Sequence, residues 1–369
     1  MPHPEIDNRT PFVFEPLFAS DEEGRPIVTP LLKATYDIGA AGELSLAEEQ
    51  RPIEFAGVPW GAPGESSDRY EPEVAFAKLS TDVVLIGSAH ARRPGTTQLE
   101  VLFQVGPVTQ IARVVGDRHW TKRLVDARPS DPEPFEKVPL VWERAFGGRE
   151  PDPQDPERPE LEPRNPVGCG FRARRAPIEE GAPLPNIERP DDPIRSHRSR
   201  PEPVGFGFTS PHWEPRRGFA GTYDERWERE RFPLLPLDFD RRFFSAAAPG
   251  LTTPGPLRGD EPVRVVNASP EGRLEFPLPG LAPPELRLAL RAGGCETLRG
   301  CLDTVIVDLE DRKLMLLWRT CTTLRDGPHD VQAFEIGMEN APEASASSEA
   351  DPDATDYDVV IPLRRARSA

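Results

Sequence analysis

Outside residues 126–235 the chain alternates apolar and polar positions with a period of two. In "LLKATYDI", Leu32, Ala34, Tyr36 and Ile38 alternate with Lys33, Thr35 and Asp37, which predicts a strand with the first set on a core and the second towards solvent. "DVVLIGSAHA" is apolar on both faces from Val83 to Ile86 and suits a central strand. "QLEVLFQVG" alternates through Leu99, Val101, Phe103 and Val105, and "IARVVGDRHW" adds a strand that stops at Gly116. The pattern returns after residue 236 in "VRVVN", "RLEFPLP", "ELRLALRA" and "VQAFEIG". "DTVIVDLEDRKLMLLWRT" reads as a hairpin that turns at "LEDRK", its polar residues forming the bend. Short strands joined by turns predict a mainly β protein of antiparallel sheets, in a sandwich or a partly closed barrel.

Helical spacing is scarce. "GTYDERWERERF" offers Thr222 as a cap and Trp227 on one face before Pro233, and "LVWERAFGG" predicts a shorter helix stopped by Gly147 and Gly148. Proline separates the two β regions: of 46 prolines in 369 residues, 19 fall between residues 128 and 216. Each removes a backbone donor and fixes φ, so this stretch should hold little regular structure. It is nonetheless predicted to be ordered, because Trp142, Phe146, Phe171, Phe206, Phe208 and Trp213 are dispersed through it and aromatic residues are depleted where chains stay unfolded. The expected organisation is an N-terminal β region (1–125), a proline- and aromatic-rich irregular segment with short helices (126–235), a C-terminal β region (236–339) and a disordered tail (340–369). The acidic stretch Glu150–Glu162 is expected to be a surface loop. No period of 20 to 50 residues recurs, which disfavours solenoids and propellers.

Charge and motif content narrow the function. A formal net charge of −17 opposes phosphate backbones and anionic surfaces, so no nucleic-acid partner is expected. No run approaches the roughly 18 apolar residues of a membrane span, and the start lacks a signal-peptide pattern, so a cytoplasmic protein without membrane insertion is expected. Cys169, Cys295, Cys301 and Cys321 form no C-x-x-C pair and read as reduced, mostly buried thiols. Phosphate-loop, dinucleotide, nucleophile-elbow and zinc-peptidase motifs are all missing, which predicts no enzyme activity, no catalytic residues, no metal and no cofactor. His90 and His119 follow strand-like runs and read as structural. Asp238 and Asp240 would share a face of a strand, as acid–base work or a metal requires; pairing with Arg241, Arg242 or Arg231 is the plainer reading. "RARR" and "SHRSR" form a local basic patch, read as an ion-pair surface.

"NPVGCGF" (165–171) and "VGFGF" (204–208) set glycines beside aromatics inside the proline-rich part. Glycine permits turns and close backbone approach, and the aromatics supply apolar area. Two uses stay open. Phe171 and Phe206 can plug the end of a β core, or the irregular layer can present a docking surface. The residues assigned to partner binding are Phe171, Phe206, Phe208, Trp213, Arg216, Arg217, Tyr223 and Trp227, since aromatics and arginine dominate binding hot spots. Cys169 is the sole candidate nucleophile, with no histidine near it in sequence.

In this order, "PLLKATYDI", "TDVVLIGSAHA", "VVGDRHW", "PLVWERAFGG", "NPVGCGF", "LPNIE", "PVGFGF", "GTYDERWERERFPLLPLDFDRRFF" and "LRGDEPVRVVN" resemble a large bacterial uncharacterised-domain family of type VI secretion system accessory proteins. The resemblance spans about residues 10 to 335. It implies a non-catalytic adaptor or chaperone that binds a secreted effector or a PAAR-like spike-tip protein and aids its loading onto the secretion spike. Other classes compatible with the sequence are an all-β carbohydrate-binding or hydrolytic protein, and a structural baseplate component.

Overall fold

The longest alternating run makes the longest strand, Pro26–Ile38, which sits inside the main sheet. The computed structural model describes residues 3–123, 126–150, 159–173 and 179–337. In the main sheet the order is Val13–Ser20, Pro26–Ile38, Lys313–Arg319, Cys301–Asp308, Asp82–Ile86. Neighbours are antiparallel except the last pair. A second, antiparallel sheet runs Ile187–Glu188, Val108–Val115, Gln98–Val105, Pro262–Val266, Arg273–Pro277. A third runs Glu5–Asn8, Val331–Gly337, Glu285–Leu290, Cys295–Arg299.

The protein is thus mainly β, with several antiparallel sheets and almost no helix, and among the described residues no barrel closes. The predicted hairpin forms at 309–312, where Arg312 takes a left-handed φ of 54°. Strands from both β regions share every one of these sheets: Asp82–Ile86 lies against Cys301–Asp308, Gln98–Val105 against Pro262–Val266, and Glu5–Asn8 against Val331–Gly337. One core gathers Leu32, Val83, Phe103, Phe206, Val265, Val305 and Phe334. The proposed tail (340–369) lies outside the described residues, as do 151–158 of the expected acidic loop.

Three local expectations need correction. "LVWERAFGG" gives only a 3-10 turn, Trp142–Arg144, because Phe146–Gly147 leaves it to form a short strand with Cys169–Gly170. The helix Glu225–Glu230 is capped by Asp224, whose Oδ1 accepts from Trp227 N at 2.8 Å. Thr222 is engaged elsewhere, donating through its Oγ1 to Asp238 at 2.7 Å. The thiols are not mostly buried: Cys169 is half-buried, while Cys295, Cys301 and Cys321 are exposed. Cys295 begins an edge strand, Cys301 begins the strand Cys301–Asp308, and Cys321 follows the end of Lys313–Arg319.

The expectation that Lys33 and Thr35 meet solvent also fails, and its failure reveals the main constraint on the fold. Both are buried, because residues 50–78 lie as a strap across that face of the sheet. Gln50 bonds the Thr35 backbone, and Arg51 N donates to Thr35 Oγ1 at 3.0 Å. Lys33 Nζ meets the Glu73 carboxylate at 2.8 Å and donates to Pro52 O at 2.9 Å. Along the strap, Arg69 and Tyr70 bond Asp308, Lys78 pairs with Asp82 at 2.7 Å, and Arg319 pairs with Asp303 at 2.5 Å while bonding Ala75 O. A charge removed from water is tolerated only when paired and hydrogen-bonded, so the alternation conceals a second buried layer with polar contents.

Removing one partner of the Lys33–Glu73 pair strands the other. In urea denaturation, Lys33→Met or Glu73→Leu alone should lose about 3–5 kcal/mol of stability, and the double variant should recover most of it.

Candidate functional site

The glycine-rich motifs build a knot beside the sheet edge. Asp82–Ile86 ends the main ladder, and its outer edge is filled by irregular chain: Val83 N donates to Leu251 O at 2.9 Å and Leu85 N to Phe206 O at 3.0 Å. "VGFGF" therefore satisfies the backbone of a strand edge without being a strand. Gly205 is required there, because a Cβ would lie 2.8 Å from the Trp142 ring. Trp142 Nε1 donates to Phe208 O at 2.7 Å, and Trp142 stands edge-on to Trp213 with centroids 5.9 Å apart. In "NPVGCGF", the buried Asn165 side chain donates to Trp142 O at 2.8 Å and Phe146 O at 3.0 Å. Gly170, at φ +87°, passes beneath Pro185.

This geometry corrects four of the partner-binding assignments. Phe206, Phe208, Trp213 and Arg216 are buried and present no surface. Phe171 is half-buried, packed on the small cluster of Trp120, Leu184 and Ile194 with Arg200 over its ring at 5.9 Å. Burial pushes the Cys169 thiol up, although Arg172 and Arg144 oppose it, which is contrary to thiolate activation. His90 is half-buried, pushed down by burial and by Lys137; His119 lies on a bridge to Pro183.

The remaining three, Arg217, Tyr223 and Trp227, lie on a flap formed by residues 217–242. The helix Glu225–Glu230 buries none of its residues. Trp227 contacts Tyr223 and Phe232 edge-on, with centroids 4.7 and 5.7 Å away, and its Nε1 donates to Leu234 O at 2.8 Å. Tyr223 is 53% exposed, Phe232 67% and Leu237 81%, so the cluster turns aromatic area to solvent. Sequence reasoning missed Phe232 and Leu237. The available signal was "RFPLLPLDF" itself, where closely spaced prolines deny the apolar residues any periodic face to bury.

Arginines pin the flap. Arg231 bonds Glu22 O and donates to Leu235 O at 2.9 Å, and Arg241 pairs with the Glu22 carboxylate at 2.6 Å. At the root, the buried Arg216 donates from Nε to Phe243 O at 3.0 Å, from Nη2 to Glu71 at 2.6 Å and from Nη1 to Thr209 O. Phe244 meets Phe76 of the strap edge-on at 4.9 Å. Asp240 pairs with Arg242, whereas Asp238 accepts from Thr222 N and Oγ1; these bonds hold both carboxyls below their usual range. Asp240 thus caps the turn that follows it, while Asp238 ties back to Thr222 at the other end of the flap. Arg198 and Arg200 of "SHRSR" stay exposed, with Arg200 donating to Arg172 O at 2.8 Å, while Arg174 and Arg175 of "RARR" lie outside the described residues. A crevice bordered by Phe14, Leu32, Leu286, Trp318 and Ile336 has about 20 Å³ of room, enough for roughly one water molecule. No helix among the described residues is long and apolar enough to cross a membrane.

A family profile described as "uncharacterized protein conserved in bacteria (DUF2169)" matches residues 23–319. The chain belongs to this DUF2169 family. The matched span takes in the strap, the knot and the flap, and it ends with the Lys313–Arg319 strand of the main sheet. Glu5–Asn8 and Val331–Gly337, which pair with each other, lie beyond it. No curated protein and no solved structure matches the chain.

Within the DUF2169 span, Asn165 is the tie of the knot. Asn165→Ala leaves the Trp142 and Phe146 carbonyls without their side-chain donor and should lower the unfolding free energy by about 2–4 kcal/mol in chemical denaturation.

Proposed function

We propose that this chain is a non-catalytic adaptor of type VI secretion, which holds an effector or PAAR-like spike-tip protein in the cytoplasm and aids its loading onto the spike. The observation that carries the reading is the Tyr223–Trp227–Phe232 cluster, held in a defined pose yet turned to solvent. Exposed aromatics whose orientation is already fixed lose little further freedom on association, which favours their use as binding anchors. The resemblance of the ordered motifs to type VI accessory proteins supports this choice of partner. Binding is stoichiometric: the flap covers an apolar segment of the partner, and the spike surface competes for it.

The test is co-purification of a tagged copy with a candidate effector or PAAR-like protein. Tyr223→Ala/Phe232→Ala should weaken binding about 10- to 100-fold, with the melting temperature little changed because both side chains are exposed. Recovery equal to the parent would remove the flap from the binding face.

A further inference from the structure

Arg216 has an unusual position: one guanidinium ties together the two ends of a 26-residue excursion. Arg216 opens the 3-10 turn Arg216–Phe219 at the start of the flap, and Phe243 O, which it bonds, belongs to the turn Arg241–Phe244 at the end. Its remaining donors reach Thr209 O and the Glu71 carboxylate of the strap. Beyond this root the flap is held by Arg231 and Arg241 at Glu22 and by few buried side chains, the helix having none. Segments with few buried apolar contacts and largely exposed hydrogen bonds open locally at far lower free energy than core strands.

We propose that residues 217–242 are a hinged flap clasped at its root by Arg216, so that the Tyr223–Trp227–Phe232 face keeps one pose while the clasp is shut and is freed when Arg216 releases Phe243 O and Glu71. Arg216 is a positioning residue; it touches no partner. The assignment rests on the adaptor reading only for what the aromatic face holds.

The clasp is proton-linked through Glu71, whose carboxylate lies 2.6 Å from Arg216 within the closed root. Glu71 faces Arg216, Lys78 and Asp82, and burial, against the pull of Arg216 and Lys78, pushes its carboxyl up to about 7. An opened root returns Glu71 to water and to an ordinary, lower carboxyl value. The shut form therefore binds the proton more tightly than the open form. By linkage the clasp is firmest below the ordinary carboxyl range, and it loosens progressively as pH rises towards and through 7.

Hydrogen exchange on the full chain, without any partner, tests the clasp separately from the adaptor role. The informative amides are Glu228 N in the helix, Arg231 N at its C-cap, and Asp240 N, which donates to Phe219 O. In the parent their protection factors should lie at least about tenfold below those of Asp82–Ile86 and fall between pH 6 and pH 8. Glu71→Gln should abolish that pH dependence and leave the flap shut. Arg216→Lys, which keeps the charge but cannot span three acceptors, should lower flap protection about tenfold further with the main sheet unchanged. Parent flap amides as protected as the main sheet, or a loss in Arg216→Lys spread equally over both, would overturn the hinge. A flat parent pH profile would overturn the proton-sensing step. A normal clasp in a protein that captures no partner would leave the hinge standing and sink only the adaptor reading.

Discussion

The buried charges between strap and sheet govern how this molecule is put together. Arg69, Tyr70, Glu71, Glu73 and Lys78 each find a polar partner, at Asp308, Asp308, Arg216, Lys33 and Asp82 respectively. Such pairs add little net stability compared with apolar packing, but an unpaired one is expensive. Sliding the strap along the sheet would leave several stranded at once. The ions therefore select one alignment, and the alignment places Phe76 where Phe244 and Arg241 can rest on it. The position of the aromatic flap is thus inherited from a polar interface hidden under the strap.

A second constraint is the edge of the main sheet. A strand that ends a ladder leaves its outward donors and acceptors unpaired, and here irregular chain closes that edge through single carbonyls, Leu251 O and Phe206 O accepting from Val83 N and Leu85 N. Proline-rich chain suits the task, since it needs only occasional donors of its own. The glycines fit the same logic: at 147, 168, 170 and 205 a side chain would collide with Asn165, Pro185 or Trp142. The motifs beside the edge owe their composition to close approach, and the exposed aromatic face lies further along, where the chain leaves the core.

Period two makes the central strands of the main and second sheets visible in the sequence, down to the turn at 309–312. What it could not show was depth. Lys33 and Thr35 occupy polar positions of an alternating strand and are nevertheless buried, because alternation reports which side a residue faces and not whether something else covers that side. The same limit applied to the aromatics. Trp213 and Tyr223 lie ten residues apart in irregular chain, and only tertiary contacts make one core and the other exposed. Where proline removes periodicity, sequence retains the apolar area a residue carries but loses where that area is spent. Val13–Ser20 shows no clean alternation because Pro16 interrupts it, yet as an edge strand it tolerates the missing donor.

The interleaving of distant strands has a consequence for synthesis. Pro26–Ile38 and Asp82–Ile86 receive their main-sheet neighbours Lys313–Arg319 and Cys301–Asp308 only after most of the chain has left the ribosome. At ordinary elongation rates the first of these strands waits roughly 15–60 s for its partner. Throughout that interval the nascent chain carries apolar strands with open flanks, the condition in which strands of separate chains pair with one another.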